Sequence, residues 1–173
     1  PQSGEPLLMA TSKLEAPAAA TRQVISLPID DGLTCLRGLS PQRLRFELEY
    51  ALERGSTANS FLFDAGTDRE GQHQTALLVH PPGKAYDKAF LPALVGLLPA
   101  QTTALKVVVG HVNPNRVALL RDLAGLYPEL QLIASNAGAK LLEELWSQRK
   151  PAAPGKESEQ PAIPELPAIQ VIR

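Results

Sequence analysis

The sequence contains a single cysteine, Cys35, which excludes an intramolecular disulfide and any cysteine-based zinc cluster. Aromatic residues make up only 5% against 44% hydrophobic overall, so the core is left to Leu, Val, Ile and Ala. No apolar run approaches the roughly 20 residues a membrane span needs. Charge of neither sign dominates: 17 basic residues stand against 18 acidic ones, for a net charge of −1 and no long run of either. Binding to nucleic acid or to a membrane through a charged face is therefore not expected. A Gly-rich phosphate loop is missing, since Gly66 and Gly71 are isolated, and no Ser/His/Asp set sits at a nucleophile elbow. No catalytic residue is assigned.

The 173 residues leave room for one ordinary domain. Segment 1–22 is rich in Ala, Ser, Thr and Pro and begins without Met. It reads as a disordered tail or a leader remnant, although Glu5 and Glu15 are unusual in acid-poor transit peptides. Gln23–Ile29 and Leu33–Leu39 read as short strands around the turn Asp30-Asp31-Gly32, with Cys35 in the core. From Leu44 to Tyr50 apolar and charged residues alternate, the signature of a strand with one wet face. Glu53–Ser56 is the expected turn of a hairpin that returns along Ser60–Phe63, before a polar turn from Asp64 to Gln74.

Beyond this β-meander the period changes. Thr75–Val79, Lys106–Val109 and Leu130–Ala134 read as apolar strands. They alternate with helical patterns over Ala85–Leu98, Pro114–Leu126 and Asn136–Gln148, with Pro92 marking a kink or the true start of the first helix. That order predicts a βαβαβα block with parallel strands and right-handed crossovers, hence an α/β fold. Segment 23–148 is the domain. Segment 149–166 reads as a Pro-rich solvated linker, and 167–173 as the start of a further, truncated strand. Lys84–Lys88 read as charges on a wet face, and Trp146 as a packing residue.

Val107-Val108-Val109-Gly110-His111 is a buried strand ending in histidine, and Asn113-Pro114-Asn115-Arg116 then opens a helix. Residues just past the carboxyl end of such a strand are where ligands and metals usually sit. The spacing matches the compact metal-ligand pattern His-x-acid-x-acid-His, with neutral or basic residues in most slots. Of the other histidines, His73 falls in a polar turn, and His80 shares the sheet rim with His111 but no motif supports it as a ligand.

Phe46–Tyr50, Gly55–Leu62 and the block from Thr75 through Trp146 resemble the N-terminal half of a metallo-β-lactamase-like domain. More narrowly, they are similar to the flavodiiron proteins of oxygenic phototrophs. The resemblance covers Val24 to Gln148 and implies the front half of an αββα sandwich. In that family the sandwich holds two irons, a flavodoxin-like domain carries FMN, and phototroph members append a flavin-reductase-like domain. The matching stretch includes neither flavin domain, so no cofactor-binding residue is assigned within the chain.

In the family's ligand motif, His-x-Glu-x-Asp-His, the matching positions are His111, Asn113, Asn115 and Arg116. Only His111 is kept as a metal ligand, which matches the subgroup with non-standard ligand sets. Amides bring oxygen without neutralising an ion, and a guanidinium has no lone pair to donate. A positive charge about 5 Å from a divalent ion costs roughly 6–7 kcal/mol at an effective dielectric near 20, an upper bound reached only if Arg116 faces the ion. A normal di-iron centre is therefore not expected. Structural roles account for the same residues: Asn113 as helix N-cap before Pro114, Asn115 as a first-turn polar residue, and His111 as a hydrogen-bonded strand end. Arg116 is either an exposed helix residue, or it fills the pocket or binds an anion.

The resemblance implies a parent oxidoreductase that reduces oxygen to water with electrons from NAD(P)H or ferredoxin through FMN, in photoprotective flow. The alternative is a non-catalytic assembly or regulatory subunit with a degenerate metal site. A metallo-hydrolase is the weakest reading. Either favoured reading implies a homo- or hetero-oligomer with another flavodiiron subunit. The expected compartment is the chloroplast stroma, or else the cyanobacterial cytoplasm.

Overall fold

A computed structural model describes residues 22–41, 45–46, 50–51, 55–67, 74–100, 102–148 and 162–172. Among the described residues, nine strands, three helices and one 3-10 turn follow the order β1 (Gln23–Asp30), β2 (Leu33–Ser40), β3 (Arg45–Phe46), β4 (Tyr50–Ala51), β5 (Ser56–Thr67), β6 (Gln74–Val79), the 3-10 turn (Lys84–Tyr86), α1 (Asp87–Leu97), β7 (Thr102–Val108), α2 (Pro114–Leu126), β8 (Gln131–Ser135), α3 (Asn136–Trp146) and β9 (Ala168–Ile172). Seven strands form one sheet in the order β1-β2-β5-β6-β7-β8-β9. The pairs β1–β2, β2–β5 and β5–β6 are antiparallel, and β6–β7, β7–β8 and β8–β9 are parallel.

The β1–β2 turn is built as its sequence suggests. Gly32 has a φ of 71°, which a side chain would disfavour, and its carbonyl accepts the Asp64 N–H at 2.8 Å. The parallel block sets the core. Leu78, Val107 and Leu132 are partners across β6, β7 and β8, and none is exposed. Phe90 and Leu94 of α1, Val117, Leu119, Leu120 and Leu123 of α2, and Leu142 and Trp146 of α3 join them in one cluster. Each such burial contributes about 1.5–3 kcal/mol relative to exposure. Sequential parallel neighbours joined by crossovers of one hand place all three helices on one face. The opposite face carries Phe61, Leu77, Val79, Val108 and Ile133, which are only half-buried, and Phe63, which is 39% exposed.

Several expectations need correction. Leu44–Tyr50 is not one alternating strand, because Arg45–Phe46 pairs antiparallel with Tyr50–Ala51 and the chain reverses between them. The apolar-charged alternation therefore spans a hairpin rather than one pleated edge. Ser60–Phe63 does not return along that segment either; β5 pairs with β2, from Leu33↔Phe63 to Ser40↔Ser56. Helix α1 begins at Asp87, so Pro92 lies inside it rather than at its start, with its ring side exposed. Lys84 stands on a wet face as expected, its side chain 41% exposed, and its Nζ pairs there with Asp122 at 2.5 Å and Asp87 at 3.1 Å. His73 and residues 149–161 lie outside the described residues. Residues 162–167 have no regular structure, but Ile163 and Leu166 pack on the core, and Trp146 Nε1 donates to Pro164 O at 2.9 Å.

One face of a large sheet carries helices and the other presents a broad apolar stripe. The isolated chain is expected to bind a hydrophobic dye such as ANS strongly and to self-associate. A monomer that melts sharply and reversibly without dye binding would contradict this.

Candidate functional site

Because Val79 pairs with Val108 in parallel register, the residues just beyond both strands emerge at the same rim. His80 N–H donates to Val108 O at 2.9 Å, which carries the pairing one residue past β6. His80 then takes a φ of 61°, in the left-handed region that non-glycine residues seldom occupy. Ser60, fully buried on β5, holds that peptide by donating from Oγ to the His80 carbonyl at 2.9 Å. The His80 imidazole lies against Gly110, where a Cβ would stand 3.2 Å from Nδ1. Strained backbone held by neighbouring elements is characteristic of sites where side-chain direction matters.

The start of α2 is built from its own residues. Asn113 is extended and its side chain accepts the Arg116 N–H at 2.9 Å, while Pro114 takes the first helical position, where no N–H is needed. Val117 follows, 1% exposed in the core, which fixes the helix start against the sheet. Asn115 is exposed and lies over Gly83 of the β6–α1 loop, where a Cβ would come within 3.3 Å of its own. His111 is exposed at the rim.

Arg116 is the most engaged of these residues. Half-buried, it donates from Nε to Pro81 O and from Nη1 to His111 O, both at 2.6 Å. Burial pushes its pKa down, yet a guanidinium keeps its proton at any relevant pH. Its charge is felt nearby. Partial burial first, then the Arg116 charge and then His111, hold His80 below the ordinary histidine value of 6.5.

The structure thus brings His80, His111, Asn113, Asn115 and Arg116 to one rim. Sequence reasoning missed Ser60, a buried hydroxyl of β5 that no motif marks. It also missed the Pro81 carbonyl, because a backbone oxygen leaves no mark in the sequence. Iron of this kind needs several imidazoles and carboxylates. Among the described residues, no group of three or more His, Cys, Asp or Glu converges. The donors at this rim, two imidazoles, two amides and a fixed cation, do not fit a di-iron centre. A separate cleft of about 630 Å³, lined in part by Lys106, Tyr127, Glu129 and Glu165, opens at the opposite end of the parallel strands.

No protein-family profile matches the chain, but individual proteins do. Diflavin flavoprotein A 6 of Nostoc sp. is 42% identical over 118 residues, covering 68% of this chain and 19% of that protein. Among solved structures, the metal-soaked Flv1 flavodiiron core from Synechocystis sp. is similar with a TM-score of 0.65 and 31% identity, over 88% of this chain and 32% of that one. A fragment of diflavin flavoprotein A 5 from Nostoc sp. gives a TM-score of 0.67 and 28% identity, over 88% of this chain and 50% of the fragment. The chain spans about a fifth of the length of the curated relatives it matches.

Two measurements test the site. With a lowered folded pKa, His80 favours the fold above pH about 6.5, and that contribution is lost as pH falls through the folded value. NMR titration is expected to place His80 below 6.5, and an ordinary or raised value would contradict the burial and positive surroundings assigned to it. Replacing Asn113 by Ala removes the cap and should cost about 0.5–2 kcal/mol in urea unfolding. An unchanged midpoint would show that the cap contributes nothing.

Proposed function

Because the chain belongs to the flavodiiron family of diflavin flavoproteins, as part of the metallo-β-lactamase-like region of its core, we propose that it is a piece of an oxidoreductase subunit of that type. The parent passes four electrons, with four protons, from a reduced pyridine nucleotide or ferredoxin through FMN to oxygen, giving two waters. The identity of 42% over 118 residues carries this reading, because it extends through the strands and helices that build the rim. The parent works as an oligomer with another copy or another flavodiiron subunit, so a flavin on one subunit faces the metal site of its neighbour. We place it in the chloroplast stroma or, following its cyanobacterial relatives, in the cyanobacterial cytoplasm. No described helix is long and apolar enough to cross a membrane.

One observation favours a second reading, in which this subunit assembles or regulates and its partner performs the metal chemistry. Arg116 stands where the family motif has its second histidine, and its guanidinium is bonded to two backbone oxygens of the rim. A fixed cation there opposes a second one, so His111 is left as a ligand without companions. Asn113, Asn115 and Arg116 are then the positions of a degenerate metal site.

The test uses the full-length parent. Stoichiometric iron together with oxygen consumption on NADPH or reduced ferredoxin supports catalysis at this subunit, whereas flavin without iron supports the assembly role. Restoring the acids and the imidazole with Asn113→Glu, Asn115→Asp and Arg116→His should tighten iron binding by about two orders of magnitude or more. No gain in iron uptake by a folded triple variant would sink the degenerate-site assignment.

A further inference from the structure

Arg116 connects two loops that are distant in sequence. Pro81 lies between β6 and α1, His111 lies between β7 and α2, and the same guanidinium binds the carbonyl oxygen of each at 2.6 Å. The side chain is itself held at its root. The Arg116 N–H is fixed to Asn113 Oδ1, and the following residue, Val117, is sealed in the core. Two N–H groups of a planar fork therefore meet two oxygens in a geometry with little freedom, as guanidinium recognition usually requires.

A metal ion at a sheet rim organises loops by drawing oxygen and nitrogen ligands from several of them at once. We propose that Arg116 performs this organising role as a built-in cation, clamping the β6–α1 and β7–α2 loops in register so that the rim is ordered with no ion bound. The features around it agree. The His80 carbonyl is held by Ser60, the residue after it supplies the Pro81 oxygen, and Gly110 lets the His80 ring lie against the β7–α2 loop. Each fixes the loops where the guanidinium reaches them. The clamp holds whether or not the parent reduces oxygen.

The molecule contains its own control. Lys84–Asp122 also joins the β6–α1 loop to α2, but the Lys84 side chain is 41% exposed and the Asp122 side chain 30%. An ion pair so placed contributes little.

Amide hydrogen exchange of the full chain tests the clamp. Arg116→Ala should accelerate exchange in segments 80–84 and 110–116 by about tenfold, and leave the core of α2 near Leu119–Leu123 unchanged. Lys84→Ala should leave the loops unchanged. Iron(II), zinc(II) or a chelator should not alter exchange in the unmodified protein. Arg116→Gln keeps a shorter amide donor without the charge; it carries the same test, with the same expected direction, if the alanine variant does not fold. Loop exchange unaffected by either substitution overturns the proposal. So does slowing of these loops by added metal in the unmodified protein, since an ion would then be the organiser.

Discussion

Leu78, Val107 and Leu132 lie side by side on three parallel strands, each sealed from water beneath the helices. A shift of one residue in any of these strands would turn its apolar set toward the other face. The register is therefore held by burial rather than by any single hydrogen bond. It also determines where the strands end. Val79 and Val108 finish level, so His80, Gly110 and His111 emerge together, and the crossover into α2 brings Asn113 and Arg116 to the same place. The chemistry of the rim follows from core packing several residues away.

At that rim the electrostatics run opposite to those of a metal cradle. Carboxylates are missing from the matched ligand positions, two imidazoles stand beside a permanent cation, and burial further disfavours a charged His80. What satisfies the guanidinium is backbone: two carbonyls and no carboxylate partner among the described residues. Hydrogen bonds to a charged group contribute about 1.5–3 kcal/mol each, enough to compensate in part for removing Arg116 from water. The left-handed conformation of His80 fits the same picture, since Ser60 and Val108 hold both sides of its peptide. The rim is ordered around a guanidinium and backbone carbonyls.

How legible this was depended on where information is local. Helix α2 was readable to the residue because Asn113-Pro114 states its own start in cap chemistry, and β9 was readable because Ala168–Ile172 is a short apolar run set off by prolines. The parallel block was legible from the change of period. Leu44–Tyr50 was misread because two-residue alternation does not say whether a chain continues or turns back, and Arg45–Ala51 pairing decides it tertiarily. The wet face of Lys84 was legible but its partner was not, because Asp122 lies far along the chain. The rim residues could be named, but not their bonds: nothing about Pro81 in sequence predicts that Arg116 would seek its oxygen.

The last strand is added late and from far away. β9 pairs with β8 only after all of α3 and the segment beyond it have been made, so a nascent chain carries an open edge at β8 in the meantime. Loop closure over that span weighs against docking; the β8–β9 ladder, the packing of Ile163, Leu166 and Ile169 on the core, and the indole N–H of Trp146 on the Pro164 carbonyl offset it. Trp146 is the only tryptophan in the chain and is 4% exposed. The chain therefore carries an optical reporter beside the strand that extends its sheet past β8.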